Sequence, residues 1–246
     1  VDAIVNLAGA SIAGEGLFPQ RWTTKRKELI YNSRMQAGKA VLEAIKGADR
    51  KPKVLVQSSA IGYYGFHGDR PISESEPAGT DFLAKLSVDW EASTEEVEKF
   101  GVRRAVIRTG LVLSDRGGVM PLFKLQFGLF AGGRMGGGNQ VYSWIHIGDE
   151  VGAIAFLLEN EHTNGVFNLT APEPVTNREF SKALGKAMRR PVWLPAPEFA
   201  LRMALGEVAE LSLKGQRVIP QRLIDAGYQF QYPTIGQAFD SIVGKR

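Results

Sequence analysis

Two serines and two tyrosines crowd the stretch VLVQSSAIGYYGFHGDR, residues 54–70: Ser58, Ser59, Tyr63 and Tyr64. Hydroxyls at a strand end can meet a bound ligand, and a phenol can take or give a proton as a reaction develops charge. Ser59, Tyr63 and Tyr64 are the candidate catalytic groups, with a strand-capping or core role as the alternative for each. The same stretch holds Gly62, Gly65 and Gly68, a GxxGxxG spacing. A phosphate-cradling loop of that spacing needs a helix directly after it, because the helix N-terminus lends free N–H groups to the anion. Here DRPISESEPAG follows, with Pro71, Pro77 and Gly79, so no helix starts before about Asp81. Two tyrosines would also crowd the anion. The spacing is not read as a pyrophosphate loop, and no other GxGxxG or GxxGxxG occurs in the chain.

Other groups could bind or transfer charge. Arg108 and Arg134 could each grip an anion with two hydrogen bonds. The glycines of AGGRMGGG, residues 131–138, would let a turn close over a ligand. His146 follows Tyr142 by four residues in a strand-like run, which puts both on one face. His146 is read as structural first and as a substrate contact second. Asp81 and Glu91 could be an acid or base; a helix cap and a solvent-facing position are the plainer readings. His67, His146 and His162 stand far apart and there is no cysteine. That excludes disulfides, thiolate metal sites and a cysteine nucleophile, and no metal site is expected.

The elements that must position these groups alternate along the chain. Ala3–Leu7 reads as a buried strand, 24–46 as a helix and 53–58 as a strand. Residues 82–100 read as a helix stopped by Gly101, and 102–108 as a strand. Strand–helix–strand–helix–strand implies parallel strands with right-handed crossovers. Beyond Gly110 the expectations are a helix over 119–130, a strand over 141–149, and a helix over 150–158 capped by Asp149. A strand over 165–171 and a helix opened by a Thr176–Glu179 capping box follow, then an amphipathic helix over 199–213.

The 246 residues suffice for one large domain or two small ones sharing a core. With 44% hydrophobic and 23% charged residues the chain is globular in composition, and no run is apolar enough to span a membrane. No basic leader precedes the first apolar stretch, and the absence of cysteine fits a reducing compartment. A net charge of +4 is mild, and its densest run, Arg21–Lys27, reads as a solvated helix start. No zinc-finger, RNP-type or heptad pattern supports nucleic-acid binding.

Several segments resemble, in order, the extended short-chain dehydrogenases/reductases, the family of nucleotide-sugar epimerases and dehydratases. DAIVNLAGA is similar to the family's fourth strand, SSAIGYYG to the serine-rich end of its fifth, and RTGLVL to the end of its sixth. SWIHIGDEVGAIAFLLE and GVFNLTAPEPVT are similar to its His-Val-Asp segment and seventh strand. FPQRWTTKRKELIYNSR, DFLAKLSVDWE and KGQRVIPQRLIDAGYQFQYPTIGQAF resemble its SulA-like or YfcH-like group. The resemblance implies a Rossmann-like, doubly wound parallel α/β sheet whose first strands and glycine loop are absent from this chain. It implies an incomplete NAD(P)-binding domain, residues 1–110 plus 146–171. A smaller substrate-side α/β subdomain would comprise 111–145 plus 172–246. It further implies NADP or NAD, NADP favoured, held by Leu7, Ala8, Gly9, Ser58, Ser59, Arg108 and Thr109. Arg134 and His146 would face a small-molecule substrate such as a nucleotide sugar. Helices 24–46 and 82–100 would pair in a homodimer. No membrane or nucleic-acid partner is implied, and the location would be cytoplasmic, or plastid stroma in a plant.

One departure concerns the chemistry. The family's Tyr-x-x-x-Lys pair would fall, counting back from Glu91, at Leu83 and Ser87, and none of the six tyrosines has lysine four residues on. Ala60 occupies the usual hydroxyl place, with Ser59 one residue earlier. Three readings stay open. One is an NAD(P)-dependent oxidoreductase or epimerase-like enzyme with a different proton relay. Another is a non-catalytic NADP(H)-binding regulator or scaffold linked to cell or plastid division. The last is an RNA-associated reductase.

Overall fold

The computed structural model describes residues 1–244 apart from Glu15. Strand β1 (Ala3–Asn6) leads to helix α1 (Thr24–Gly47), strands β2 (Val54–Ala60) and β3 (Gly68–Ile72), helix α2 (Phe82–Ala92) and strand β4 (Arg103–Thr109). There follow β5 (Leu111–Ser114), β6 (Gly117–Gly118), α3 (Met120–Gly128), β7 (Val141–Tyr142), β8 (Trp144–His146), α4 (Ile147–Glu159) and β9 (Gly165–Leu169). The last elements are β10 (Val175–Thr176), α5 (Asn177–Met188), α6 (Glu198–Leu205), α7 (Glu210–Leu213), β11 (Gln216–Val218), α8 (Gln221–Asp225) and α9 (Ile235–Val243).

β1, β2, β4 and β9 form one parallel sheet in that order. Its side chains alternate as a two-faced strand requires. Val54, Val56, Ala105 and Ile107 point to α4 and join Ala153 and Leu157 in one cluster. Leu55 points the other way and joins Ile45 of α1 with Val97 and Val102. Both faces are therefore covered, which makes the sheet doubly wound, as expected. The C-terminal subdomain has its own core, in which Phe123, Phe127, Trp144, Phe180 and Phe239 pack together. The expected capping box at Thr176 and Glu179 opens α5.

Four expectations change. The helix expected over 82–100 ends at Ala92 and continues as a 3₁₀ turn over Glu95–Phe100. Ser93 Oγ donates to the Trp90 carbonyl at 2.6 Å, and α1 passes so close that a Cβ on Gly38 would lie 2.0 Å from that hydroxyl. The strand expected over 141–149 is two short strands in different sheets, so Tyr142 and His146 do not share one strand face. Ser143 causes the break: its hydroxyl donates to the Gln216 carbonyl and accepts from the Val218 N–H, each at 2.8 Å. Asp149 does not cap α4. His146 does, through Nδ1 and the Gly148 N–H at 3.0 Å, while Asp149 accepts from the N–H groups of Gln231 and Tyr232. The helix expected over 199–213 breaks at Gly206, whose φ of 60° suits glycine.

The basic run is not a free solvated helix start. Lys27 pairs with Glu207 at 2.6 Å, and Arg21 donates to the carbonyls of Met203 and Ala204. The three glycines of 62–68 play different parts, Gly62 and Gly65 in close packing and Gly68 in backbone conformation alone. Gly62 lies against Leu83, and Gly65 and Gly68 take φ of 71° and 67°.

Gly110 joins β4 to β5, where the parallel sheet hands the chain to the second subdomain. A Cβ there would sit 2.4 Å from the Ser143 carbonyl oxygen. Gly110→Ala should lower the unfolding free energy by about 3 kcal/mol or more, because backbone must move on both sides. Urea denaturation checks this; a loss under about 0.5 kcal/mol, typical of a surface change, would contradict the tight junction.

Candidate active site

Parallel pairing puts Ser59 of β2 opposite Arg108 of β4, so both point to the face that α2 covers. From α2 Glu91 reaches down between them. Its Oε1 accepts from Ser59 Oγ at 2.6 Å and from Arg108 Nε at 2.8 Å, and its Oε2 accepts from Arg108 Nη2 at 2.9 Å. Both side chains are nearly buried, 4% and 13% exposed for Arg108 and Glu91. This overturns the solvent-facing expectation for Glu91. Burial works against the Arg108 charge, yet the Glu91 carboxylate outweighs it and holds the guanidinium protonated more firmly than usual.

The network extends through Tyr64. Arg108 Nη1 donates to the Tyr64 hydroxyl at 3.1 Å, which donates to Asn168 Oδ1 at 2.6 Å. Asn168 Nδ2 donates to the Ile219 carbonyl, and its N–H goes to Glu74 Oε1 at 2.9 Å. Tyr64 is fully buried, and burial pushes its phenol up to about 12 despite the adjacent Arg108. Ser59 and Tyr64 thus spend their hydroxyls inside the network. Tyr63 differs. The Arg108 guanidinium lies over its ring, 3.2 Å from carbon to ring centroid, and Tyr63 stays partly exposed.

At the C-terminal end of β1, Leu7, Ala8 and Gly9 form an exposed shelf. The Ala8 N–H donates to Asn6 Oδ1, and Asn6 Nδ2 donates to Gln57 Oε1 at 2.9 Å. Beyond the shelf, Ser33 Oγ accepts from the Ala10 N–H and Arg34 Nη1 donates to the Ala10 carbonyl. A Cβ on Gly9 would come within 3.0 Å of Arg34, so the shelf is held at both ends and kept low. Ser58 stands half-buried at the neighbouring strand end. Thr109, ending β4, donates to Glu150 Oε1 at 2.8 Å. Such strand ends are where a parallel α/β sheet receives a dinucleotide.

A cleft of about 800 Å³ opens between the Tyr64–Phe66 turn, the start of α2, and the α6–α7 segment. Trp22, Phe66, Phe82, Leu83 and Leu211 give it apolar walls. Its cations are engaged: Arg202 pairs with Glu198 and Glu210, and Lys214 with Glu210 at 2.6 Å. Asp81 caps α2 as expected, accepting from the Ala84 N–H, and also lines the cleft. Trp22 Nε1 donates to the Ile12 carbonyl at 2.8 Å, which links the cleft wall to the segment leaving the shelf. Leu83 lines the cleft, whereas Ser87 is buried in the helix packing. Arg134 lies elsewhere, on a separate small cleft, and His146 is buried with its ring against Tyr232 at 3.8 Å.

The profile of the NAD dependent epimerase/dehydratase family matches residues 1–170. The chain belongs to the NAD-dependent epimerase/dehydratase family. Residues 196–242 also match a domain of unknown function, DUF1731, which corresponds to the C-terminal segment over the cleft. Among its relatives is an epimerase family protein of Mycobacterium tuberculosis, MT2273, 43% identical over 239 residues, covering 97% of this chain and 77% of that protein. YfhF of Bacillus subtilis is 38% identical over 247 residues, 100% of this chain and 79% of the relative. The crystal structure of human epimerase family protein SDR39U1 with NADPH superposes with a TM-score of 0.93 at 34% identity, covering 100% of this chain and 83% of that one. A Thermus thermophilus UDP-glucose 4-epimerase in complex with NAD, at 18% identity and TM-score 0.73, shares the fold.

Sequence reasoning missed Glu74, Asn168 and Glu150. A polar residue inside the apolar strand GVFNLTA was the available signal for Asn168. Nothing local marked Glu74 or Glu150. Glu150 is 8% exposed, and burial pushes its carboxyl up to about 7, with the Thr109 hydrogen bond pulling the other way.

Two outcomes follow from the buried charges described here. Arg108→Gln should cost about 3–5 kcal/mol of stability, because Glu91 is left buried without its partner, and adding Glu91→Gln should recover part of it. A loss below about 1 kcal/mol in urea unfolding, the worth of an exposed pair, would contradict that. The raised Glu150 carboxyl means the folded state holds a proton that the unfolded state releases from about pH 4.5 upward. Its contribution therefore becomes destabilising between about pH 4.5 and about 7 and stays so above. Glu150→Gln should stabilise the protein at pH 8, by up to about 3 kcal/mol, and leave it unchanged near pH 4.5. Equal stability differences at both pH values would refute the assignment.

Proposed function

We propose that the protein is an NADP(H)-dependent oxidoreductase or epimerase-like enzyme whose proton relay departs from the tyrosine–lysine pair. The observation that carries this reading is the shelf at the end of β1 running, through Ile12 and Trp22, into the wall of the 800 Å³ cleft. Leu7, Ala8 and Gly9 would hold the cofactor's inner half, with Ser58 and Thr109 at the adjoining strand ends. When bound, the nicotinamide supplies or takes a hydride. Ser59 and Arg108 act from below as positioning groups, since Glu91 holds both. The NADPH complex of the human relative favours NADP(H) over NAD(H).

The relay has few donors to draw on. Tyr64 is a poor proton donor in its buried network, and its role here is to fix Arg108. Tyr63, stacked on that guanidinium and still partly open, is the phenol of this reading. The paired cations and aromatic walls of the cleft suit a small neutral substrate with an apolar face better than a nucleotide sugar, whose diphosphate would have to displace Glu210. His146 caps α4 and packs against Tyr232, so it has no substrate contact in this reading. Placement in the SulA-like group rests on the segments 18–34 and 214–239. Exposed Leu29 on α1 and Val88 on α2 support a homodimer through those helices.

A second reading, binding of NADP(H) without chemistry, draws on Leu83 and Ser87 in the relay places. Calorimetry with NADPH and NADH on the protein at its full natural length tests the cofactor. NADPH should bind in the micromolar range and NADH at least about tenfold more weakly. No heat with either would sink both readings. With NADPH bound, Tyr63→Phe should lower turnover of carbonyl substrates without weakening NADPH. Absence of turnover across neutral carbonyl compounds, with NADPH bound, would favour the second reading.

A further inference from the structure

A second cleft, of about 300 Å³, lies between α5 and residues 131–138 and shares no lining residue with the larger one. Its basic groups differ from those of the large cleft in their pairing. Arg134, Arg178 and Lys182 line it, and none of the three forms an ion pair among the described residues. Arg178 and Lys182 are one helical turn apart on α5, so they project from one face. The acid of α5, Glu179, lies within electrostatic reach of Lys182, but its carboxylate is bound by Thr176 in the capping box.

The fourth wall is Trp193, 65% exposed, an unusual setting for the largest side chain. Its Nε1 donates to the Phe130 carbonyl at 2.9 Å, which tethers one edge of the ring. The glycine-rich turn expected to be flexible is pinned. Trp193 and Leu194 donate to the Gly132 carbonyl, Ala196 to that of Arg134, and Ser181 Oγ to that of Gly133. Met135 donates to Asn177 Oδ1 at 2.8 Å, and a Cβ on Gly133 would lie 1.8 Å from the Leu194 carbonyl oxygen. The cleft is therefore formed before any ligand arrives, which lowers the entropic cost of binding.

We propose that this cleft binds a phosphate-bearing small molecule with a planar ring, of about mononucleotide size: Arg134, Arg178 and Lys182 take the phosphate and Trp193 stacks the ring. Two guanidinium forks and an ammonium match the oxygens of a phosphate, and an exposed indole tethered at one edge offers a face to a base-sized ring. At 300 Å³ the volume is at the small end of ligand sites and excludes a whole dinucleotide. The site is thus separate from the cofactor shelf, and its role in this chain would be regulatory or auxiliary.

Adenosine 5′-monophosphate is the probe, read by tryptophan fluorescence, with Trp193→Phe assigning the signal. The expected result is saturable quenching that Arg178→Gln with Lys182→Gln weakens by about tenfold or more, as does Arg134→Gln alone. NADPH binding by calorimetry should be unchanged in these variants. All three side chains are exposed, so loss of folding is not expected, and circular dichroism checks it. The proposal is overturned by no saturation up to about 1 mM. It is equally overturned by an affinity unchanged in the variants, which would move the nucleotide to the cofactor shelf. Inorganic phosphate binding as tightly as the nucleotide would remove the ring from the site. Phosphatidylglycerol vesicles binding without competition from the nucleotide would make the patch a membrane contact.

Discussion

The pair formed by Glu91 and Arg108 is the constraint on which the site depends. A buried guanidinium and carboxylate are costly to desolvate, and they repay that cost only in one geometry. Here the geometry is bidentate, Ser59 donates to the same carboxylate, Tyr64 accepts from the guanidinium, and the Tyr63 ring lies against it. The pair ties α2 to two strands of the sheet. It also fixes the turn of 61–64, from which the large cleft takes one wall. A looser arrangement would leave charge buried and unmatched, so the network specifies the arrangement as much as it stabilises it.

From this pair a chain of hydrogen bonds reaches the C-terminal segment. Tyr64, Asn168 and Glu74 connect Arg108 to the backbone at Ile219 and Arg222, which lie just past β11. The segment that closes the cleft is thus registered against the sheet by polar contacts from behind. In front it is held by Lys27 and Arg21, which reach across from the start of α1. The basic run of the sequence serves this docking. The cleft between the two subdomains owes its width to contacts on both sides of it.

The two clefts divide the protein's charge in a consistent way. In the large one the cations face carboxylates on α6 and α7 and are electrostatically spent. In the small one they are exposed and form no ion pair among the described residues, Arg178 donating only to the Gly137 carbonyl. Aromatic groups line both, and among the described residues the small cleft sets an exposed ring beside cations without an ion pair. On the two proposals made above, this separation would let one fold hold a site for a weakly charged substrate beside one for an anion.

The sequence by itself determined the alternation of strands and helices, the parallel sheet, the capping box of α5 and the missing tyrosine–lysine relay. Each is a local pattern, read from apolar spacing or from residue identity at a set interval. The tertiary structure decided which of the candidate groups meet. Ser59 and Arg108 are far apart in sequence and face one another only because β2 and β4 pair in that register. Glu91 read as a surface residue because amphipathic spacing cannot show a buried partner on another strand. The helix over 199–213 read as continuous because its spacing is apolar throughout, while Gly206 takes a backbone shape no periodicity encodes. Burial of charge and the meeting of distant side chains are non-local properties. They are settled when the sheet closes, and the pattern of any one segment does not contain them.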